Sequence, residues 1–161
     1  MSYNLALMRN VGAWLKSAYA LAHTDAVAAG SGDATEVDGE SVDLLGLGTN
    51  PLSGKLMIPC QATLDTGETL TITANIQDSP TGTDQWADFG DALAATIIIP
   101  AAATDAEFEG MAELDVNLSG SRQFVRCQVT PDLSRAGTDT AEIAGVWVFG
   151  GADELPFTST V

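Results

Sequence analysis

Few residues in this chain could do chemistry, and the only histidine is His23. One histidine cannot supply a histidine-rich metal site, nor a Ser-His-Asp triad together with a separate proton shuttle. Asp25 lies close enough in sequence to offer His23 a salt bridge. We therefore predict a protein that is not an enzyme, with no catalytic residue, no cofactor and no metal ion.

The two cysteines, Cys60 and Cys127, both fall on the apolar side of an alternating stretch. Half-buried thiols usually act as small hydrophobic side chains, and in a protein made in the cytoplasm they stay reduced. The alternative is a disulfide between neighbouring strands, which requires a narrow Cα separation. The chain has no CxxC motif that would indicate a thiolate metal site.

Carboxylates are abundant, so pairs of them arise by chance. The segment DSPTGTD brings Asp78 and Asp84 together, with Asp88 just beyond. Calcium prefers clustered oxygen ligands, but this spacing matches no calcium-loop pattern, and solvated acids at a hairpin tip are commoner. A second group is typical of a solvated strand face: Glu107, Glu109 and Glu113.

The three tryptophans, Trp14, Trp86 and Trp147, are candidates for an interface or for a sugar-binding platform. A lectin usually gathers aromatic rings with carboxylates and amides at one loop end. These three are scattered along the chain instead. We predict that they pack in a core or in an interface.

Composition indicates one β-rich globular domain. The chain has 161 residues, of which 45% are hydrophobic and 17% charged, which suits a packed core. The net charge of −16 repels phosphate backbones, so nucleic-acid binding is not expected. The longest apolar runs fall far short of the roughly 20 residues that a membrane span needs.

Residues 1–24 form a distinct arm by charge and pattern. They carry Arg9 and Lys16 and no acid, whereas the remainder holds 22 acids and four bases, a net charge of −18. Apolar residues recur at helical spacing over residues 4–22, which predicts a helix. Lys16 interrupts the apolar stretch that a signal peptide would need. The predicted partner-binding residues are Leu7, Arg9, Val11, Trp14 and Lys16.

The arm has two open interpretations. It could dock on a partner, or it could pack as a helix on its own domain. Residues 25–40 are small, polar and Gly-rich, which favours a flexible linker. On the docking interpretation, removal of residues 1–24 is expected to leave a folded domain that binds its partner more weakly.

From residue 41 to residue 161 the pattern has the period of two that is typical of β-strands. Turn signals every 8 to 12 residues predict a β-sandwich, and the strand number with no helices between strands favours a jelly roll. We predict an all-β, jelly-roll-like sandwich of about eight strands, over residues 41–47, 55–63, 68–77, 86–89, 93–99, 108–118, 122–130 and 140–149.

The last two strands have different surfaces. Residues 122–130 alternate, with Val125, Cys127 and Val129 on the inward side. Residues 140–149 are apolar on both sides of the predicted strand. Val146 and Val148 lie on one side, and a second set of apolar residues lies on the other. A strand that lacks a polar side is covered on both sides, by the core and by something else.

Four segments, taken together, resemble the capsid cement or decoration proteins of tailed bacteriophages. They are GETLTITANIQDS (67–79), WADFGD (86–91), ELDVNLSGSRQFVRCQVTPDLS (113–134) and TAEIAGVWVFGGAD (140–153), within a resemblance that covers roughly residues 41–153. The resemblance implies a jelly roll that sits outside the shell and clamps neighbouring capsid subunits without catalysing a reaction. It offers no counterpart for the arm.

The resemblance therefore implies a structural virion protein. Its expected partner is the major capsid protein, and we expect a homo-oligomer, a dimer or trimer, with no nucleic acid and no membrane. The expected location is the capsid exterior, after synthesis in the host cytoplasm. The alternative is a receptor- or glycan-binding module of a phage tail or fibre. A jelly-roll enzyme of the cupin type is disfavoured, because it needs clustered histidines.

Overall fold

The described part of the protein is predominantly β-structure. The computed structural model describes residues 11–90, 93–98, 106–134 and 137–152. Two short 3₁₀ helices, Val11–Trp14 and Leu45–Leu47, lie among ten strands: β1 (Lys16–Val27), β2 (Val37–Asp38), β3 (Val42–Asp43), β4 (Ser53–Leu64), β5 (Thr69–Ser79), β6 (Ala87–Asp88), β7 (Leu93–Ile98), β8 (Ala106–Asn117), β9 (Phe124–Leu133) and β10 (Thr140–Gly150).

The strands form two antiparallel sheets with the order of a jelly roll. The first sheet has the order β1-β10-β4-β8. In the second, β2 and β3 share one side of β9, β9 pairs with β5, and β6 and β7 share the far side of β5. If β2 and β3 are counted as one strand, and β6 and β7 as another, the described part of the chain has eight strands. Numbered in chain order, these eight strands follow the order 1-8-3-6 in the first sheet and 2-7-4-5 in the second. This confirms the predicted jelly-roll-like sandwich of about eight strands.

The core lies between the sheets and follows from strand alternation. Every second residue of β5, from Leu70 through Ile72 to Ile76, is fully buried, as the period of two predicts. From β10, the rings of Trp147 and Phe149 stack with centroids 5.5 Å apart. Burial of each large apolar side chain contributes about 1.5–3 kcal/mol, so these positions fix the register of their strands.

The predicted helix over residues 4–22 is wrong within the described part of the chain. One 3₁₀ turn ends at Trp14, and Lys16 begins β1, which pairs with β10. The register of β1 shifts between Tyr19 and Leu21 and again between Leu21 and Thr24. Such bulges place neighbouring residues on the same side. The apolar spacing of a bulged strand therefore imitated a helix.

The predicted boundary between residues 24 and 25 falls inside β1, so the arm and the sandwich are not separate units at that point. The expected flexible linker is also hydrogen-bonded to the sandwich. Gly39 N donates to Cys127 O at 2.7 Å and Glu40 N donates to Ala20 O at 2.8 Å. A Cβ on Gly39 would lie 2.4 Å from Ala20 O and 2.6 Å from Cys127 Sγ, so only glycine fits this approach.

No helix in the described ranges is long and apolar enough to cross a membrane.

Candidate docking surface

His23 lies in a small charged cluster on the solvent side of the first sheet. It belongs to β1, as does Asp25, and β10 places Glu142 opposite Asp25. His23 Nε2 is 3.5 Å from Asp25 Oδ1 and 3.3 Å from Glu142 Oε2. The contact expected with Asp25 is present, and Glu142 extends it. The three groups could hold a divalent cation, since one ligand atom from each lies within 4.8 Å of the others, but all three are exposed, and solvated charges often gather this way.

The cysteines occupy opposite sheets and are both free and buried. Cys60 belongs to β4 and Cys127 to β9, so the alternative of a disulfide between neighbouring strands is wrong. Burial raises the pKa of Cys60, and it raises the pKa of Cys127 to about 12. A catalytic thiol needs the opposite shift, because the thiolate is the nucleophile. These thiols serve the core.

The acids of the segment DSPTGTD point to separate partners. Asp78 is buried and accepts hydrogen bonds from Arg122 N and Arg122 Nε, each at 2.8 Å. Asp84 bonds to Thr81 within the loop. Asp88 accepts from two amide side chains of β5 at 2.8 and 3.1 Å. The arrangement holds a loop to two strands and does not converge on a metal position.

The solvent side of the second sheet gathers one tryptophan with polar side chains. The Arg126 guanidinium lies 4.6 Å from the centre of the Trp86 ring. Arg126 also donates to Gln77 Oε1 at 2.8 and 3.0 Å and to Asp38 Oδ2 at 2.9 Å. Gln128 donates to the other Asp38 oxygen at 2.8 Å. The spacing of these residues in the sequence gave no sign of this cluster, because only the pairing of strands in the sheet brings them together. Most of its polar atoms form hydrogen bonds with one another.

The solvent side of the first sheet, which we call the outer sheet face, has an apolar centre. Adjacent strands align Tyr19 with Val146 and Val146 with Met57. Tyr19 is 55% exposed, Met111 47% and Val146 38%. The apolar centre consists of Tyr19, Met57, Pro59, Met111, Ala144, Val146 and Val148.

An acidic rim surrounds this apolar centre. One lysine, Lys55, lies beside the apolar centre. Its Nζ is 2.6 Å from Asp115 Oδ1 and 3.1 Å from Glu113 Oε2. The hydrogen bond from Lys55 to Asp115 and, to a smaller extent, the one to Glu113 raise the pKa of Lys55. Two carboxylates therefore already neutralise this cation. The exposed acids of the rim are Asp25, Glu107, Glu109, Glu113, Asp115 and Glu142.

Two shallow grooves cross the outer sheet face. One, of about 370 Å³, is lined by Pro59 and Ala144 from the centre and by Glu109 and Glu142 from the rim. The other, of about 650 Å³, runs from Leu15 past Val148 to Lys55 and Asp115. Both grooves are open to solvent along the sheet.

The predicted partner-binding residues lie partly beside this face. Leu7 and Arg9 fall outside the described residues. Val11 is 54% exposed and Trp14 is partly buried, both in the first 3₁₀ helix, and Lys16 opens β1 opposite Phe149. Their neighbour Leu15 lines the larger groove. Their role in partner binding stays a prediction.

Sequence reasoning found only part of this surface. The two-sided apolar pattern of β10 pointed to Val146 and Val148. Met57 and Pro59 carried a usable signal, because they take solvent-side positions between Lys55 and Gln61 in an alternating strand. Tyr19 could not be found, because the strand that carries it was interpreted as a helix.

No family model matches this chain, and no curated protein matches it. Among solved structures, a similar chain occurs in the structure of the Gx strain of infectious bursal disease virus, at 10% identity and a TM-score of 0.24. The match covers 86% of this chain and 42% of that one, so this chain spans less than half of its length. A similarity this low carries no conclusion about fold or function.

Proposed function

We propose that the protein is a non-enzymatic structural component of a tailed-phage particle, which binds the outside of the capsid and clamps neighbouring copies of the major capsid protein. The observation that carries the proposal is the outer sheet face. Tyr19, Met111 and Val146 leave an apolar area exposed across four strands, and such areas mark interaction sites.

Two further features support this proposal. The segments that resemble cement proteins include β5, β9 and β10, which build both sheets. A jelly roll is also a frequent architecture of virion proteins, although the fold by itself does not decide function. Many identical copies on one shell gain avidity, so a modest contact for each copy suffices.

The test uses shells assembled from the major capsid protein encoded in the same genome, without this protein. We expect the purified protein to co-sediment with the shells, to saturate at a fixed number of copies, and to raise the temperature at which the shells open. Labelled antibody should decorate the heads of virions in electron micrographs. Decoration confined to tails, or absence of binding to shells, would refute the proposal.

The alternative, a glycan-binding module of a tail or fibre, has one observation in its favour. Trp86 lies among amide and carboxylate groups on the second sheet, which sugars commonly contact. However, Arg126 covers one side of the ring and bonds Gln77 and Asp38, which leaves fewer groups for hydroxyls. A glycan array decides between the two: selective binding that Trp86→Ala abolishes would favour the alternative.

A further inference from the structure

The apolar centre of the outer sheet face needs an occupant. Val146 and Val148 lie on β10, in the interior of the sheet between β1 and β4, so neither a strand edge nor a terminus exposes them. A sheet with one face in the core normally turns alternating polar residues to water. Here the centre of that face is apolar over four strands and is bordered by acids, which is the pattern of an interface with a polar rim.

A second copy of the chain is a poor occupant. Two copies stacked through this face would bring the acids of one rim against those of the other. The cation nearest to the centre, Lys55, is already paired with Glu113 and Asp115, and the His23 ring already contacts Asp25 and Glu142. Like charges set against each other across an interface cost several kcal/mol.

The same charges exclude two other classes of occupant. A nucleic acid presents phosphates, and anionic lipid headgroups present the same sign of charge. An acidic rim repels both. Lysine and arginine side chains meet the rim favourably, and their placement fixes the orientation of the partner and accelerates its association.

We infer that the outer sheet face binds a protein surface with an apolar centre and a margin of lysine and arginine side chains, and that it does not bind a second copy of this chain. This inference rests on the proposed function for the partner's identity, which is then the major capsid protein. The apolar centre provides the affinity, through Tyr19, Met111 and Val146. The rim, through Glu109, Glu142 and their neighbours, provides the orientation.

The first arm of the experiment measures binding to the assembled shells described above. The variant E109K/E142K changes the rim, and the control E40K/D132K makes the same change in net charge at exposed positions outside this face. We expect E109K/E142K to bind at least about tenfold more weakly, and the control to stay within about twofold of wild type. Val146→Lys tests the centre and should lose binding to a similar extent. Circular dichroism confirms that each variant is folded.

If wild-type protein binds the shells and E109K/E142K binds equally well, the inference is wrong while the proposed function stands. If E109K/E142K binds normally and Val146→Lys abolishes binding, the partner contacts the apolar centre of the outer sheet face but presents no basic margin to the rim. Sedimentation equilibrium provides the third outcome. A wild-type dimer that Val146→Lys dissociates would show that a second copy occupies the face, and this would overturn the inference.

The second arm does not depend on the capsid. An amphipathic peptide of lysine and leucine is titrated into ¹⁵N-labelled protein, and amide shift changes are mapped by NMR. We expect the changes to centre on Tyr19, Met57, Met111 and Val146, with amides near Asp132 unaffected. Changes spread over all acidic surfaces, or centred on the second sheet, would overturn the inference even if the shells are decorated. If the shift changes centre on the outer sheet face as expected but the shells remain undecorated, the proposed function is refuted and the inference stands.

Discussion

At the scale of single residues, Cys127 shows how closely the two sheets approach. It lies on β9 of the second sheet, and its Sγ donates to Ala20 O of β1, in the first sheet, at 3.6 Å. Gly39 passes directly beside it, and a side chain at residue 39 would collide with Cys127 Sγ. Desolvation in this place disfavours the thiolate and raises the pKa of Cys127 from its ordinary 9.0 to about 12.

This shift predicts a loss of stability in alkali. The unfolded thiol ionises near pH 9 and the folded one near pH 12, so the contribution of Cys127 is complete below about pH 9 and disappears between these values. At pH 10 the loss is about 1.4 kcal/mol. Urea denaturation at pH 8 and pH 10 should show a decrease larger by this amount in wild type than in Cys127→Ala. Equal decreases would contradict a protected thiol.

At the scale of elements, β1 decides whether the sandwich forms. Ala20 and Leu21 are fully buried, and a Cβ on Gly145 of β10 would lie 2.8 Å from the Cβ of Leu21. The two strands therefore fit together closely at a bulge, with Leu21 packed over a residue that has no side chain. β1 is part of the core and cannot be regarded as an attachment to it.

Truncations test this role, and they replace the expectation that removal of residues 1–24 leaves a folded domain. Deletion of residues 1–10 is the control, because it leaves every residue of β1 in place. Deletion of residues 1–24 should abolish cooperative melting, because loss of the Leu21 side chain alone costs about 2–5 kcal/mol and a domain of this size has about 5–15 kcal/mol in total. Circular dichroism melts provide the measurement. A cooperative melt of the protein that lacks residues 1–24, similar to the melt of the protein that lacks residues 1–10, would show that the sandwich folds without the first part of β1.

Alternation made most elements predictable, and bulges and long-range pairing limited the rest. The strands predicted at 55–63, 68–77 and 140–149 closely match β4, β5 and β10, because Leu56, Ile72 and Ile143 and their alternate neighbours are buried. β1 was missed altogether, because residues 4–22 were interpreted as a helix and residues 25–40 as a linker. The outer sheet face needed the order β1-β10-β4-β8, which brings Tyr19 and Met111 to one surface and which has no local signal in the sequence.

At the scale of the whole molecule, the net charge of −16 works against the compact state. Few cations offset it, and those beside the apolar centre are already paired. Arg122 is committed to Asp78 and Arg126 to Asp38. The remaining acids repel one another, because folding brings them closer together than they are in the unfolded chain.

Screening should therefore stabilise the fold. Raising sodium chloride from 0.01 M to 1 M shortens the Debye length from about 30 Å to about 3 Å. We expect a gain of at least about 1 kcal/mol, or a rise in Tm of about 2–4 °C, measured by calorimetry. The variant E40K/D132K, with a charge less negative by four units, should gain less. A Tm that is independent of salt would show that the repulsion is negligible.

The pairing of β1 with β10 also sets when the domain can be completed. Val27 ends β1 and Thr140 begins β10, so 112 residues must be translated between two neighbours in one sheet. At about 5–20 residues per second, the ribosome needs roughly 6–22 s for that interval. Until then β1 and β4 lack the strand that lies between them. The sheet therefore closes only after β10 has been translated, so a partner meets the outer sheet face on a completed domain instead of on a partly synthesised one.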